Sequence, residues 1–598
     1  MILQALCGYY DRIRDSADVD VPLLGYSRAN VASVIVLDDD GNVKAIHSLM
    51  TPSGKQLRPI KLVVPEQPKR TVNIMASFLC ENTEYLFGIY KNPNGALNRF
   101  DASRELHERI LGAVDDVGAH ALLRFFEKRQ MGRYDVYGAD SKPLEEKIGS
   151  VVFRLEGDQE AFYLHERKAI RAAWEAYRAQ LSGDATMGQC LITGTTGPIA
   201  RLHRNMIGFG QDKPTLVSFN KQAFESYGKT QGANAPVSES AAFRYATALN
   251  LLLGDRRHRV SQHKIKTVFW AERDAVEEEN VFSMFMDMSG TPESSGLDEE
   301  ECQKVRAIAI ALLNGYRPAD LHLDPDVRFF FLGMSANRTR LVIRYFHMST
   351  FGEFTERVCQ HFEDIAIVAR ETNYPSPWRL MRETAVGRKS ENVPDNAEDT
   401  LLRCILEGTP YPYGIYQQMM LRIRAEAGQD GNLAFTRERV GYIKGYLNRA
   451  MRRDGKREEE MMTVALNEQE TNPGYVIGRL MAALEYGQKA ALGDVNASIV
   501  DKYLNASLAS PQMVFGTTLL PLFKKHMNKL AKDGKEGSSV YIERIVSSII
   551  DLLPSSGFPA TLGAEDQGKY MIGYYHQNQA LYTKKADRQE NKEEKENV

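Results

Sequence analysis

Cysteine is scarce in this sequence. Six cysteines are spread over 598 residues, and no two of them form a CxxC pair. Zinc knuckles, iron–sulfur sites and disulfide frameworks all need closely spaced cysteines, so this pattern argues against each of them. We therefore expect a protein of a reducing compartment, the cytoplasm.

Long apolar runs are also missing. The longest strongly apolar run, Ala307–Leu313, is far shorter than the roughly 20 helical residues that cross a bilayer. The first residues lack the basic start, apolar stretch and small-residue cleavage site of a secretory signal. We expect a protein that is neither exported nor membrane-spanning, with no membrane among its partners.

The common catalytic motifs are absent as well. The Gly-Lys of TPSGKQ lacks the first glycine and the Ser/Thr of a P-loop. Neither HExxH nor HxE with CxxC occurs, and there is no GxSxG for a serine nucleophile. The glycine-rich Gly194–Gly197 is too short for a dinucleotide fingerprint. These absences favour a protein that is not an enzyme and that holds no cofactor or metal.

The net charge of the whole chain is small, but three segments each have a large net charge. Lys and Arg number 75 against 78 Asp and Glu, which gives a net charge of −3. Arg201–Lys266 has 11 basic and 4 acidic residues, a net of +7, and Arg403–Arg457 has 11 and 5, a net of +6. Glu272–Glu301 has 11 acids and one arginine, a net of −10. Such blocks are often solvated faces, yet the basic ones are large enough to follow several phosphates.

What is present indicates an α+β protein of several domains. The chain exceeds the roughly 250 to 300 residues that one core supports. We predict a β-rich N-terminal recognition domain with a helical insert at 1–188, a mixed α/β middle domain at 189–400 and a C-terminal helical bundle region at 401–585. The highly charged residues 586–598 are expected to be disordered.

Local patterns support this division. Val31–Ile46 reads as strand, Asp-Gly-Asn turn and strand, which is a hairpin signal. Apolar residues recur at helical spacing in Ser103–Arg129 and Glu160–Gln180. In the middle domain CLIT, TLVSF, TVFWAE and RLVIRYF are strand-like, while SESAAFRYATALNLLL is helical. Beyond residue 400 several amphipathic stretches follow one another, and four such helices would close an antiparallel bundle.

One of these C-terminal helices is strongly basic. The stretch Arg437–Arg453 places its apolar residues on one stripe, and its basic residues lie off that stripe. We therefore expect a basic outer face made of Arg437, Lys444, Arg449, Arg452 and Arg453.

Several long stretches of the sequence resemble one known family. In chain order they include CLITGTTGPIARLH (Cys190–His203), LVSFNKQAFESYGKTQGANAPVSESAAFRYATALNLLL (Leu216–Leu253), FFFLGMSANRTRLVIRYF (Phe329–Phe346), TNPGYVIGRL (Thr471–Leu480) and EDQGKYMIGYYHQNQALY (Glu565–Tyr582). These stretches resemble the large subunit of the type I-C CRISPR Cascade surveillance complex. The resemblance extends over nearly the whole chain.

The resemblance implies a non-catalytic DNA-recognition subunit. In such complexes the guide RNA reads the target by pairing, while the large subunit inspects the protospacer-adjacent motif in duplex DNA and helps to open the strands. The implied partners are a crRNA-containing Cascade complex with its backbone, RNA-processing and small subunits, the target double-stranded DNA, the displaced single strand, and a helicase–nuclease recruited in trans.

The resemblance also points to a motif-reading loop. Pro65–Ser77 has prolines that stiffen it, and short polar and cationic side chains that suit base edges and phosphates. It occupies the place where the family reads PKRTSGI, although Val72 and Asn73 stand here where small residues are expected. The candidate motif-reading residues are Lys69, Arg70, Thr71 and Asn73.

The helical C-terminal region resembles the bundle fused to these large subunits, which is similar to the separate small subunit. A basic bundle would hold target or displaced single strand through backbone electrostatics. The candidates for backbone contact are Arg449, Arg452, Arg453, Lys524, Lys525 and Lys529, together with Arg256, Arg257, Arg259, Lys264 and Lys266 in the first basic block. In this family the region can also be made from an internal start, for which Met461 or Met462 is the candidate.

Two other functions are compatible with these residues. A metal-dependent nuclease of a defence system would use Asp38–Asp40 or the acids of Glu272–Glu301, although the three aspartates also fit a hairpin turn. A pure assembly scaffold would use the basic blocks to grip RNA or partner proteins without reading a motif.

Overall fold

The computed structural model describes residues 1–15, 21–53, 56–68, 74–88, 96–130, 149–182, 186–210, 213–262, 265–286, 297–338, 340–369, 374–394, 397–427, 434–493 and 495–582. They form two compact units, Met1–Leu251 and Leu252–Val598. The described residues mix helices with small sheets, which confirms the predicted α+β class. The two units do not coincide with the three predicted domains, whose division stays a prediction. The predicted disordered tail, 586–598, lies outside the described residues.

The first unit contains small sheets flanked by helices. Its strands are β1 (Tyr26–Val31), β2 (Ser33–Leu37), β3 (Val43–Ser48), β4 (Met50–Ser53), β5 (Gln56–Pro65), β6 (Glu81–Asn82), β7 (Ser150–Leu155), β8 (Met187–Gln189) and β9 (Thr196–Pro198). Its helices are α1 (Ile2–Arg14), α2 (Thr83–Phe87), α3 (Ala96–Leu111), α4 (Val117–Gln130), α5 (Lys168–Ser182) and most of α6 (Glu239–Gly254), whose last three residues belong to the second unit.

The predicted hairpin is confirmed as β2 and β3. The Asp38 carboxylate accepts hydrogen bonds from the backbone N–H groups of Asp40 and Asn42 at 3.1 and 2.8 Å. Gly41 adopts φ +76, a conformation that side chains disfavour, and its Cα faces the backbone of α4 with no room for a Cβ. The hairpin belongs to a sheet of order β3-β2-β7-β6, in which β2 and β7 run parallel.

The helical insert is broken where the sequence predicted one periodic stretch. α3 ends at Leu111 and α4 begins at Val117, because Asp116 accepts the Ala119 N–H at 3.0 Å and so caps the second helix. Asp116 also pairs with Arg167 at 3.0 Å. Apolar residues of α3, α4 and α5 pack against β2 and β7 to form the core of this unit.

Two predicted strands of the middle domain are wrong. CLIT forms the turn between β8 and β9, and TLVSF is irregular apart from one bridge between Thr215 and Asn205. Runs of four or five β-branched and aromatic residues form strands only where a partner strand lies alongside. TVFWAE and RLVIRYF have such partners, and both predictions are confirmed in the second unit.

The second unit begins with an antiparallel sheet and continues into helices. Its strands are β10 (Arg259–Gln262), β11 (Ile265–Ala271), β12 (Arg328–Asn337) and β13 (Arg340–Thr350), hydrogen-bonded in that order. The helices α7 (Val276–Met286) and α8 (Glu299–Leu313) lie in the chain between β11 and β12, and α9 (Phe351–Ile365), α10 (Pro377–Arg382), α11 (Ala397–Glu407) and α12 (Tyr413–Glu426) follow β13. In its core the Phe282 ring packs at a tilt against the rings of Phe269 and Phe354, with centroids 4.3 and 4.2 Å apart.

The described residues from 434 to 582 are mostly helical, as predicted. The helices are α13 (Arg437–Arg453), α14 (Pro473–Leu492), α15 (Ile499–Ala509), α16 (Pro511–Met513), α17 (Leu520–Lys532), α18 (Glu536–Ile550) and α19 (Ala564–Tyr582). α14 packs against α17, α18 and α19. A π-helical segment, Val514–Leu519, precedes α17. Pro521 explains it, because proline has no N–H for the usual α-helical bond to the carbonyl of Thr517.

Glycines allow α14 and α19 to approach each other closely. A Cβ on Gly474 or Gly478 would overlap the backbone carbonyls of Asp566 and Tyr570 on α19. A Cβ on Gly573 would overlap the backbone of α14 in the same way. The two helices therefore contact each other backbone to backbone.

Candidate nucleic-acid interface

The predicted motif-reading residues follow β5 in the chain. Lys69, Arg70, Thr71 and Asn73 lie outside the described residues, between β5 and the segment that begins at Ile74. The strand that leads toward them is well defined. β5 pairs with β4 over Gln56–Pro59 and with β1 over Ile60–Pro65.

The basic block at the start of the second unit forms a short exposed corner. Arg256 and Arg257 follow α6 and are exposed, and Arg257 pairs with Asp255 at 3.1 Å. Arg259 and Lys266 lie on the hairpin of β10 and β11 and are half-buried. Burial and the charge of Arg259 lower the pKa of Lys266. Lys264 lies outside the described residues. Among the described cations of this corner, Arg256 and Arg257 are the exposed ones.

The predicted basic outer face of α13 is wrong for Arg449. Its guanidinium is buried and pairs with the carboxylate of Asp364 at 2.8 Å. It also donates to the carbonyl oxygens of Cys404 and Thr409 at 3.0 and 2.7 Å, and it stacks over the ring of Tyr411 at 4.3 Å. Arg449 therefore stabilises the interior of the second unit and presents no cation to a phosphate in this conformation.

Lys444 is also buried, against the end of α9. Its ammonium donates to the carbonyl oxygens of Glu363 and Asp364 at 3.0 and 2.9 Å, which satisfies the last turn of that helix. Burial lowers the pKa of Lys444 to about 8. The outer-face prediction is therefore wrong for this lysine as well.

The last two arginines of α13 are more accessible. Arg452 is half-buried and shares the Asp364 carboxylate at 3.0 Å, so part of its charge is compensated. Arg453 is exposed and pairs with Asp454 at 3.0 Å. Of the four arginines predicted for the outer face of this helix, Arg449 is buried, Arg437 and Arg452 are half-buried, and only Arg453 is exposed.

The lysines of α17 form the clearest cationic face. Lys524, Lys525 and Lys529 are exposed, while Phe523, Met527 and Leu530 are buried on the opposite side, among the residues of α17 that pack into the bundle. Among the described residues, no carboxylate lies within 4.0 Å of these three ammonium groups. Uncompensated lysines at helical spacing are the arrangement that attracts a phosphate backbone.

Sequence reasoning missed one member of this face. Lys532 is exposed and lies one turn beyond Lys529, at the i+3 position of the same helix. The sequence contained a signal for this lysine, because Lys525, Lys529 and Lys532 follow the spacing i, i+4, i+7 of one helical face. We use the name lysine face for Lys524, Lys525, Lys529 and Lys532.

Several of the described acids that were considered for a nuclease make structural contacts. The Asp38 carboxylate is occupied by the turn, and Arg124 and Lys128 of α4 contact Asp39 and Asp40. In the acidic block, Glu279 accepts the Ala271 N–H at 2.8 Å and Lys304 pairs with Glu277 at 3.4 Å. Within the described ranges no three His, Cys, Asp or Glu side chains are close enough to hold a metal ion.

Met461 and Met462 lie in the connection between α13 and α14. Both side chains are buried. The Met462 N–H donates to the Asn448 side-chain oxygen at 2.8 Å, and its carbonyl accepts from the same amide at 3.3 Å. A chain beginning at either residue would contain α14 through α19. The internal start stays a prediction.

The described geometry defines a class of protein. It is an α+β protein whose C-terminal helices present a cationic face, and none of its described helices is long and apolar enough to cross a bilayer. The chain belongs to the family described as CRISPR-associated protein (Cas_Csd1), whose family model matches residues 6–582. No curated protein matches the sequence.

Proposed function

We propose that this protein is the non-catalytic large subunit of a type I-C Cascade complex. It recognises the protospacer-adjacent motif in duplex DNA, promotes strand opening, stabilises the R-loop and supports recruitment of a helicase–nuclease in trans. Its partners are the crRNA, the backbone and RNA-processing subunits, the small subunits and the target DNA. The observation that carries the proposal is the family match over 6–582, which makes the chain CRISPR-associated along nearly its whole length.

The lysine face supports the DNA-binding part of the proposal. Exposed ammonium groups without a carboxylate neighbour can bind a phosphate backbone and displace its counterions. The release of these counterions makes the free energy of binding more favourable. The face contains little that would read a base edge, because its members are flexible point charges. It therefore suits the holding of an opened strand, whereas motif reading requires a second site.

Motif reading is assigned to the loop that follows β5. The decisive experiment measures binding of a reconstituted complex to duplexes carrying every variant of the flanking trinucleotide. Replacing Lys69, Arg70 and Asn73 by alanine should remove discrimination between motifs while assembly persists. Each lost base contact should reduce the free-energy difference between motifs by about 1 to 3 kcal/mol. Unchanged discrimination in this variant, or equally tight binding by a complex that lacks the chain, would contradict the proposal. The first of these results would favour a pure scaffold.

Strand holding is tested by salt dependence. Replacing Lys524, Lys525 and Lys529 by glutamine should weaken single-strand binding and reduce the slope of log K against log salt by about 2, at about 0.7 per lost phosphate contact. Lys502 on α15 is exposed outside this face and provides the matched control. A slope that falls equally in both variants would refute the assignment of the face.

The proposal that the subunit is non-catalytic has its own test. Labelled single- and double-stranded DNA should remain uncut by the purified protein in magnesium or manganese. Cleavage that disappears when Asp38 and Asp40 are replaced by asparagine would establish the nuclease alternative.

A further inference from the structure

The first unit contains an exposed loop whose own hydrogen bonds hold it in one shape. It comprises residues 221–234, and we call it the tyrosine loop. The Asn234 side chain accepts the Ser226 N–H at 2.9 Å and donates to the carbonyl oxygens of Lys229 and Gln231 at 2.9 and 3.0 Å. One side chain therefore ties three positions of the loop together. None of the functions assigned above uses this loop.

The base of the tyrosine loop is fixed as well. Gly232 lies against the segment that contains Ala200 and Arg201, and a Cβ on this glycine would overlap the Ala200 carbonyl oxygen. The Gly232 N–H donates to the Arg201 carbonyl at 3.1 Å, and the Arg201 guanidinium donates to the Gln231 side-chain oxygen at 2.9 Å. A loop that is ordered before binding loses less conformational entropy when it binds.

Tyr227 lies in a tight turn of this loop, in a strained conformation. The Lys229 N–H donates to the Ser226 carbonyl at 3.0 Å and closes the turn around Tyr227 and Gly228. Both central residues have positive φ, +54 and +68. A turn of this kind strongly favours Asn-Gly or Asp-Gly, because positive φ is sterically unfavourable for a bulky side chain. A tyrosine at the first central position therefore lowers the stability of the fold.

The tyrosine ring does not compensate for this strain by packing. Tyr227 is 98% exposed, so almost none of its surface is buried. Asparagine would suit the backbone better and would lose no buried apolar surface. A strained residue that the surrounding fold does not need indicates a functional role. That role uses an aromatic ring with both faces open to solvent.

The charges near the ring indicate the kind of ligand. Lys221 and Lys229 are exposed, and among the residues that the structure describes no carboxylate lies within 4.0 Å of either ammonium group. The segment 201–234 has five basic and two acidic residues, a net of +3. An apolar protein surface would desolvate the two ammonium groups without pairing them. A single-stranded nucleic acid, by contrast, offers bases to the ring and phosphates to the lysines.

We propose that Tyr227 stacks on an unpaired base of a single-stranded nucleic acid while Lys221 and Lys229 contact the neighbouring phosphates. Such stacking tolerates any sequence, because every base has a π-face. The tyrosine loop therefore binds a strand without reading its sequence. The inference rests on the proposed function in one respect, since it takes nucleic acid as the ligand. The strand has two sources, the opened DNA and the guide RNA, and the experiment separates them.

The test uses the full chain and three probes of equal length: an all-thymidine DNA strand, an abasic DNA strand and an all-uridine RNA strand. The abasic strand keeps the phosphates and lacks the bases, so the ratio of the two DNA affinities isolates stacking. Lys524, Lys525 and Lys529 are replaced by glutamine in every protein, so that the lysine face does not dominate binding. The variants in this parent are Tyr227→Asn, Tyr227→Phe and, as the control, Tyr316→Asn, which changes a tyrosine of the second unit that is 59% exposed.

We expect the parent to bind the all-thymidine strand about tenfold more tightly than the abasic strand. Tyr227→Asn should abolish this preference, whereas Tyr227→Phe and Tyr316→Asn should retain it. Tyr227→Asn should also raise the melting temperature of the first unit by about 2 °C, because it relieves the strain. A loss of binding together with a gain of stability does not come from misfolding. The larger loss of affinity, for DNA or for RNA, identifies the source, and equal losses show that the loop accepts both.

The proposal is overturned if the parent shows no preference for the strand with bases, or if Tyr227→Asn keeps the preference. Loss of the preference in Tyr227→Phe as well would assign the effect to the hydroxyl group and contradict stacking. Unchanged strand binding by Tyr227→Asn, with failure to assemble with the other subunits, would identify the loop as a protein contact instead.

Failure of the proposed function gives a different result. A reconstituted complex that assembles but does not bind motif-bearing duplex would contradict that function and would leave the ratio of the two DNA affinities unchanged. The two proposals can therefore fail independently.

Discussion

Replacing Glu398 with glutamine is expected to stabilise the second unit, and to do so most strongly at alkaline pH. Glu398 lies in the first turn of α11 and is only 7% exposed. Together with Asp399, Thr267 and Tyr345 it lines a small cavity. Burial, with a further contribution from Asp399, raises the pKa of Glu398 from 4.5 to about 8. The folded protein therefore keeps a proton that the unfolded chain releases.

The magnitude follows from that difference in pKa. Between about pH 4.5 and pH 8 the folded state binds more protons than the unfolded state, so the stability falls as the pH rises through this range. At pH 7 the cost is about 3 kcal/mol, from about 2.5 units at 1.36 kcal/mol each. Near pH 5 it is about 1 kcal/mol. Glutamine has the same shape and cannot ionise, so the substitution removes this cost.

Calorimetric melting at a series of pH values measures the effect. At pH 7 a gain of about 3 kcal/mol corresponds to a rise of roughly 6 °C, at about 2 °C per kcal/mol for a large domain. Glu407→Gln alters an exposed acid at the other end of α11 and should change stability by less than about 0.5 kcal/mol. A Glu398→Gln variant whose advantage over the parent is the same at pH 5 and pH 8 would refute the reasoning.

Two further substitutions test the packing of the C-terminal helices. Asp364→Asn removes the charge shared by two arginines of α13 and should lower the free energy of unfolding by about 3 to 5 kcal/mol. Asp454→Asn changes an exposed aspartate and is its control. Equal urea midpoints for these two variants would contradict the prediction. Gly478→Ala forces a Cβ against the backbone of α19 and should cost about 1 to 3 kcal/mol. At Gly516 a new Cβ would meet no atom of another element within 4 Å, so Gly516→Ala should not destabilise the protein. Similar losses of stability in both glycine variants would contradict the close contact.

Much of the local structure follows from short-range patterns. The Asp-Gly-Asn turn was sufficient to predict the hairpin of β2 and β3, because its side-chain hydrogen bonds and positive φ are local properties. The exposure of Lys524, Lys525 and Lys529 followed from the apolar stripe of α17. The strand predictions for CLIT and TLVSF were wrong because strand formation depends on a partner strand that local composition does not reveal.

The helix α13 shows why the burial of charged residues was missed. An apolar stripe identifies one buried face, but α13 is enclosed on more than one side, and Arg439 is completely buried between Glu383 and Glu426. Gly441 and Gly445 were the available signal. They are one turn apart. A Cβ on Gly441 would overlap the Ile365 carbonyl at the end of α9, and a Cβ on Gly445 would crowd the Tyr411 ring and the Ile365 side chain. A pair of glycines four residues apart in a basic helix indicates that another element packs closely there.

The glycine-lined contact between α14 and α19 has a consequence for how the C-terminal region can be divided. The two helices are separated by about seventy residues of chain, yet each forms part of the surface on which the other rests. A fragment that begins near Met462 must therefore extend through Tyr582 to fold. Ending it before Ala564 would expose the glycines of α14 and leave a groove in the bundle, so the final helix is as necessary to such a fragment as the first.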